Sequence, residues 1–81
     1  MISVVIPLYN KEASIAQSLK SVLSQEYDDF EVVIVDDGST DGSVAVVEAI
    51  NDPRIRLIKQ ENGGPSKARN TGVKNAKGEW I

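Results

Sequence analysis

The sequence predicts an α/β fold, a Rossmann-like open parallel sheet with helices on its faces. Three observations lead there. Short runs of β-favouring apolar residues alternate with amphipathic helical stretches in the order β-α-β-α-β-α-β, which calls for right-handed crossovers. One run contains Val32-Val33-Ile34-Val35, apolar at four successive positions, as in a strand buried on both faces of a parallel sheet. That run stops at two adjacent carboxylates, Asp36 and Asp37. Acids there stand at the carboxyl end of a central strand, where open α/β sheets bind their ligands.

Taken in order, Ile2-Ser3-Val4-Val5-Ile6-Pro7-Leu8 is the first strand, with Pro7 at its end because proline cannot donate to a ladder. Tyr9 and Asn10 lead into a helix that Asn10 is suited to cap, with Glu12 in its first turn. Ile15, Leu19, Val22 and Leu23 give that helix one apolar face, and it should run to about Gln25. Glu26-Tyr27-Asp28-Asp29 reads as a polar turn, and Phe30 to Val35 as the second strand. Gly38 then turns the chain sharply, and Ser39, Thr40 or Asp41 caps a helix that sends Val44, Val47 and Ile50 to the sheet. Asn51-Asp52-Pro53 ends it.

Arg54 to Lys59 is a third strand, with Ile55 and Leu57 facing one way and Arg56 the other, an alternation that suits the sheet's edge. After Gln60-Glu61-Asn62-Gly63-Gly64, Pro65 opens a third helix. Ala68, Gly72 and Ala76 form a small-residue ridge on it, and Gly78 is placed to close it in the left-handed conformation. Glu79-Trp80-Ile81 starts a fourth strand. A chain that stops there reads as a truncated domain over residues 1–81, with a sheet edge that would pair with a second copy.

Composition narrows the function. Eighty-one residues allow one small domain. A net charge of −3 argues against a nucleic-acid binder, which shows a clustered basic face. With neither cysteine nor histidine, thiolate metal sites and the commonest general base are excluded. Any metal would need oxygen ligands, which favours Mg²⁺ or Mn²⁺. No apolar run is long enough to span a membrane, so a cytoplasmic location is the expectation, with any membrane association left to regions outside this chain.

Adjacent strand side chains point opposite ways, so Asp36 and Asp37 should not share one job. One would face a ligand while the other ties down the turn. Asp-Asp-Gly-Ser is also an ordinary turn, and these residues alone leave both readings open.

Three further stretches bear on that choice. Val5-Ile6-Pro7-Leu8-Tyr9-Asn10-Lys11-Glu12, Val35-Asp36-Asp37-Gly38-Ser39-Thr40-Asp41 and Gly63-Gly64-Pro65-Ser66-Lys67-Ala68-Arg69-Asn70-Thr71-Gly72 occur in that order, followed by Lys77-Gly78-Glu79-Trp80-Ile81. Together they resemble the N-terminal half of the family 2 glycosyltransferases, inverting enzymes of the GT-A fold. The resemblance implies a nucleotide-sugar donor, commonly a UDP-sugar, and a saccharide or lipid-linked acceptor. It implies a strand order of 3-2-1-4. Tyr9 would pack on the nucleobase with backbone around Pro7 lining the same pocket, and Asp37 would accept from the base's ring N–H. Asp36 would support that pocket, Arg69 would lie near base and diphosphate, and Lys67 would be a weaker member of the same loop. It also implies that the acids holding Mg²⁺ or Mn²⁺, and the catalytic carboxylate, lie beyond Ile81. A sugar-phosphate nucleotidyltransferase would need a Gly-rich, Arg-containing loop where Leu8-Tyr9-Asn10-Lys11 stands. A phospho-accepting receiver domain would place its acid pair after the first strand. A non-catalytic module keeping the nucleotide pocket is the remaining alternative.

Overall fold

The computed structural model describes residues 1–26 and 29–80, so Tyr27 and Asp28 of the expected polar turn, and Ile81, lie outside the described residues. Strands β1 (Ile2–Leu8), β2 (Phe30–Asp37), β3 (Ile55–Gln60) and β4 (Glu79–Trp80) alternate with helices α1 (Ile15–Leu23), α2 (Ser43–Ile50) and α3 (Pro65–Asn75). All strand pairs are parallel, and the order is β3-β2-β1-β4. That is the order the resemblance implies, with the polar, alternating β3 at an edge.

The two faces of β2 explain why its sequence is apolar throughout. Val32 and Ile34 pack with Leu8, Ile15, Leu19, Phe30 and Val47 beneath α1 and α2. Val33 and Val35 pack with Ala68 beneath α3. All four central residues of β2 are 0% exposed, and burying each contributes about 1.5–3 kcal/mol. Gly72 seats α3 closely, since a Cβ there would collide with Val5 Cγ1. No helix among the described residues is long and apolar enough to cross a membrane.

Four details depart from expectation, the first being that Gly42, and not Ser39, Thr40 or Asp41, stands at the N-cap of α2. The first helix begins only at Ile15, and Asn10 does not cap it: Asn10 has φ 49° and its side chain is engaged by the loop after β2. Val44 stays out of the core, where Val46 packs beside the expected Val47 and Ile50, because Ser43 is the buried residue of the first turn. Its hydroxyl accepts from Lys11 N at 2.8 Å, which fixes the rotation of α2. Helix α3 ends at Asn75, with Ala76 extended, so Gly78 does not close it. The space at Gly78 is needed by the chain start instead, as a Cβ there would run into the main-chain oxygen of Met1.

Candidate functional site

The carboxyl ends of β1 and β2 carry two loops, and polar residues in them bond one another densely. Asn10 Oδ1 accepts from Thr40 N at 2.8 Å and Asp41 N at 3.4 Å, while Asn10 N donates to Ser39 Oγ at 3.0 Å. Glu12 and the α2 start exchange bonds: Glu12 N donates to Asp41 Oδ2 at 3.2 Å, and Gly42 N to Glu12 Oε1 at 2.6 Å. Asp41 Oδ1 also accepts from Ser43 N and Ser43 Oγ. Its carboxyl is held below the usual range, first by the Ser43 hydroxyl. The β1–α1 and β2–α2 loops are thereby one polar unit, and Tyr9 is carried on it, 47% exposed. Pro7, opposite Val35 in the ladder, is also exposed.

Asp36 and Asp37 lie on opposite faces of β2, as the alternation requires, and both are buried. Asp36 Oδ2 accepts from Ser39 N at 3.4 Å, a tie across the turn, while Oδ1 is buried without a partner among the described residues. Asp37 is engaged further than the sequence indicates. Its Oδ1 accepts from Gln60 Nε2 and Gly63 N, each at 2.9 Å, and its Oδ2 from Gly64 N at 2.9 Å. Its main-chain oxygen accepts from Asn62 Nδ2 at 3.0 Å. Asp37 thus sits at the positive N-terminal end of α3, where a carboxylate is favoured.

The Gln60 bond, followed by that from Gly63, holds the Asp37 carboxyl below its ordinary value against the opposing effect of burial, with help from Gly64 N and the Lys67 charge. It is therefore ionised at neutral pH. An ionised carboxylate offers about four acceptor positions. Oδ1 has used two and Oδ2 one, which leaves one position on Oδ2.

Lys67 lies beside this acid, its stem covering Gly63, where a Cβ would overlap Lys67 Cδ. Arg69 is exposed on α3 and makes no hydrogen bond or ion pair among the described residues. The structure therefore gathers Asp37 and Lys67 at the start of α3, while Tyr9 and Arg69 stand on separate elements, both exposed. Sequence reasoning misses Gln60, Asn62 and Thr71. Gln60 has a findable signal: in a parallel ladder it falls directly opposite Asp37. Among the described residues no three His, Cys, Asp or Glu side chains converge as ion ligands, so these residues do not fit a divalent metal.

Comparison with known proteins bears on the fold and the family. The family model described as glycosyl transferase family 2 matches residues 3–81. The chain is 45% identical over 83 residues to a Bacillus subtilis protein named uncharacterized glycosyltransferase EpsJ, covering 100% of this chain and 24% of that one. It superposes on S. aureus TarS 1–349 in complex with UDP with a TM-score of 0.89 and 38% identity, covering 99% of this chain and 26% of that one. For the mannosyltransferase PcManGT from Pyrobaculum calidifontis, in complex with GDP-Man and Mn²⁺, the TM-score is 0.85 at 32% identity, covering 94% of this chain and 24% of that one. The chain spans about a quarter of the length of these relatives.

Proposed function

Since the chain belongs to glycosyl transferase family 2, we propose that it forms the donor-nucleotide half-site of an enzyme that moves a sugar, with inversion, from a nucleotide sugar to an acceptor hydroxyl. One observation carries this reading: a buried, ionised carboxylate at the carboxyl end of β2 with one acceptor position open. That position suits a ring N–H, which uracil and guanine present and cytosine and adenine do not. The UDP and GDP-Man complexes of the relatives belong to the two bases of the first kind. Tyr9 offers a stacking surface for the base, Arg69 a donor fork for phosphate oxygens, and Lys67 a further charge. The acceptor in this reading is a saccharide or a lipid-linked acceptor. Mg²⁺ or Mn²⁺ on the diphosphate is supported by the Mn²⁺ complex of the relative, with ligands outside this chain.

The test is calorimetric titration of UDP and GDP into the full-length protein. Asp37→Ala should weaken the preferred nucleotide roughly ten- to hundred-fold, as expected for losing a hydrogen bond to a charged group. A second reading rests on the unpartnered Asp36 Oδ1 and gives the base N–H to Asp36. Loss of affinity in Asp36→Asn at unchanged melting temperature, with normal binding by Asp37→Ala, would establish that reading and overturn the first.

A further inference from the structure

We propose that Gln60 and Thr71 are positioning residues for base discrimination, acting through Asp37. The proposal rests on the reading that Asp37 accepts from the base. A chain of side chains runs from α3 across β3 to the acid. Thr71 Oγ1 donates to Gln60 Oε1 at 2.7 Å, and Gln60 Nε2 donates to Asp37 Oδ1 at 2.9 Å.

The direction of each bond is forced. Asp37 carries no proton at neutral pH, so only the amide nitrogen of Gln60 can face it. Gln60 Oε1 must then point to Thr71, whose hydroxyl has a single proton. Lys67 O also lies within reach of that hydroxyl, at 3.0 Å. Sending the proton there would leave two acceptors facing each other at 2.7 Å, so it goes to Gln60. The chain therefore has one arrangement, and it fixes which Asp37 oxygen is fully used. Oδ1 is saturated by Gln60 and Gly63, and the open position is left on Oδ2.

Without this chain the carboxylate keeps only the Gly63 and Gly64 N–H groups, is held less firmly about χ2, and its open position is less sharply directed. The consequence is specific. Cytosine presents an acceptor where uracil presents an N–H, so a rigid carboxylate attracts one and repels the other. A carboxylate held more loosely discriminates less. The readout is the ratio of CDP to UDP dissociation constants, which does not depend on the folded fraction of a variant.

Titrating UDP and CDP into the full-length protein, we expect this ratio to fall about five- to ten-fold in Thr71→Val and Gln60→Ala, a change of the size of one neutral hydrogen bond. Thr71→Ser keeps the hydroxyl and should keep the ratio. Donor KM should rise in the two damaged variants with kcat unchanged, since the base is remote from the reacting bond. An unchanged ratio in Thr71→Val and Gln60→Ala, with collapse in Asp37→Ala, would overturn the positioning role and leave the Asp37 reading standing. A fall in Thr71→Ser as large as in Thr71→Val would also overturn it, by assigning the effect to packing. An unchanged ratio in Asp37→Ala would overturn the reading beneath it.

Discussion

Strand β2 carries a buried acid at each end of the same face, Glu31 and Asp37, and the two hold opposite ends of α3. Glu31 Oε2 accepts from Ser3 Oγ at 2.6 Å and from Lys77 N at 2.7 Å, just past the helix's last turn. Its Oε1 accepts from Arg56 Nη1 at 2.8 Å, and the same nitrogen donates to Asn75 O at 2.7 Å. Asp37 takes the backbone N–H groups of Gly63 and Gly64 at the other end. The helix dipole makes these two positions unlike. A carboxylate is favoured at the N-terminal end and disfavoured at the C-terminal end, where Arg56 is needed to offset it. Glu31 is thus paired in charge by Arg56. Asp37 has no guanidinium partner among the described residues, keeps an open acceptor position, and stands at the end of the sheet where ligands bind. A buried acid is not by itself a site; what remains unused on it makes the difference.

The largest effect should come from breaking the structural end. Glu31→Ala deprives Ser3, Lys77 N and Arg56 of their acceptor in a partly buried contact, and should lower stability by about 2–4 kcal/mol in denaturant titrations of the full-length protein. Nucleotide affinity per folded molecule should stay as it was. The charge can also be tested through pH. Burial raises the Glu31 pKa, but hydrogen bonds from Ser3, the Lys77 backbone and Arg56 outweigh it and lower the value from 4.5 to about 2. A depressed folded value means the contribution is fully present above pH 4.5 and is lost as pH falls toward 2. The stability gap between Glu31→Gln and the parent should therefore be flat near neutrality and narrow through that window.

Next in size is Gly72→Ala, which tests whether the seat of α3 matters equally to both ends. The added methyl would overlap Val5 Cγ1 and crowd Val35, so the helix must lift or Val5 must turn. A loss of about 1–3 kcal/mol is expected. Because Asp37 holds the Gly63 and Gly64 N–H groups just before α3, a lifted helix should also weaken nucleotide binding. Thermal melts and UDP titration on the same sample check both.

How much of this is legible beforehand follows from the range of each interaction. Periodicity and β-branching locate the strands because these depend on local pattern, whereas the order 3-2-1-4 is implied only by the family resemblance. The Asp36–Asp37 placement also follows from alternation alone. Asn10 reads as a cap of α1 but is not one, because the helix begins only at Ile15 and the Asn10 side-chain oxygen accepts instead from Thr40 and Asp41, which lie across the fold on the next loop. Glu31 carries no local signal at all. Its value lies in Ser3, Arg56 and Lys77, brought from three other parts of the chain. Gly78 reads as a helix stop because left-handed closure is the commonest use of such a glycine, whereas here Met1 needs the room. Long-range polar partnerships, rather than elements, are what a linear reading conceals.

The smallest effects give the sharpest comparison, by changing charge without changing shape at the two ends. Glu31→Gln keeps one oxygen but must place an amide NH₂ against Arg56 or against the Ser3 and Lys77 donors, so a donor faces a donor. Asp37→Asn meets the same conflict with Gln60 or Gly64, but no cation is stranded by it, since Lys67 is exposed. The melting temperature should therefore fall more for Glu31→Gln than for Asp37→Asn. Affinity should run the other way. In Asp37→Asn the new amide can turn its oxygen toward the base and Gly64 N or toward Gln60 and Gly63 N, though not both, so UDP binding should weaken roughly three- to ten-fold. Glu31→Gln should leave it unchanged. If both variants lose stability and affinity in the same proportion, α3 transmits strain between its ends, and the two acids form one structural clamp rather than a clamp and a site.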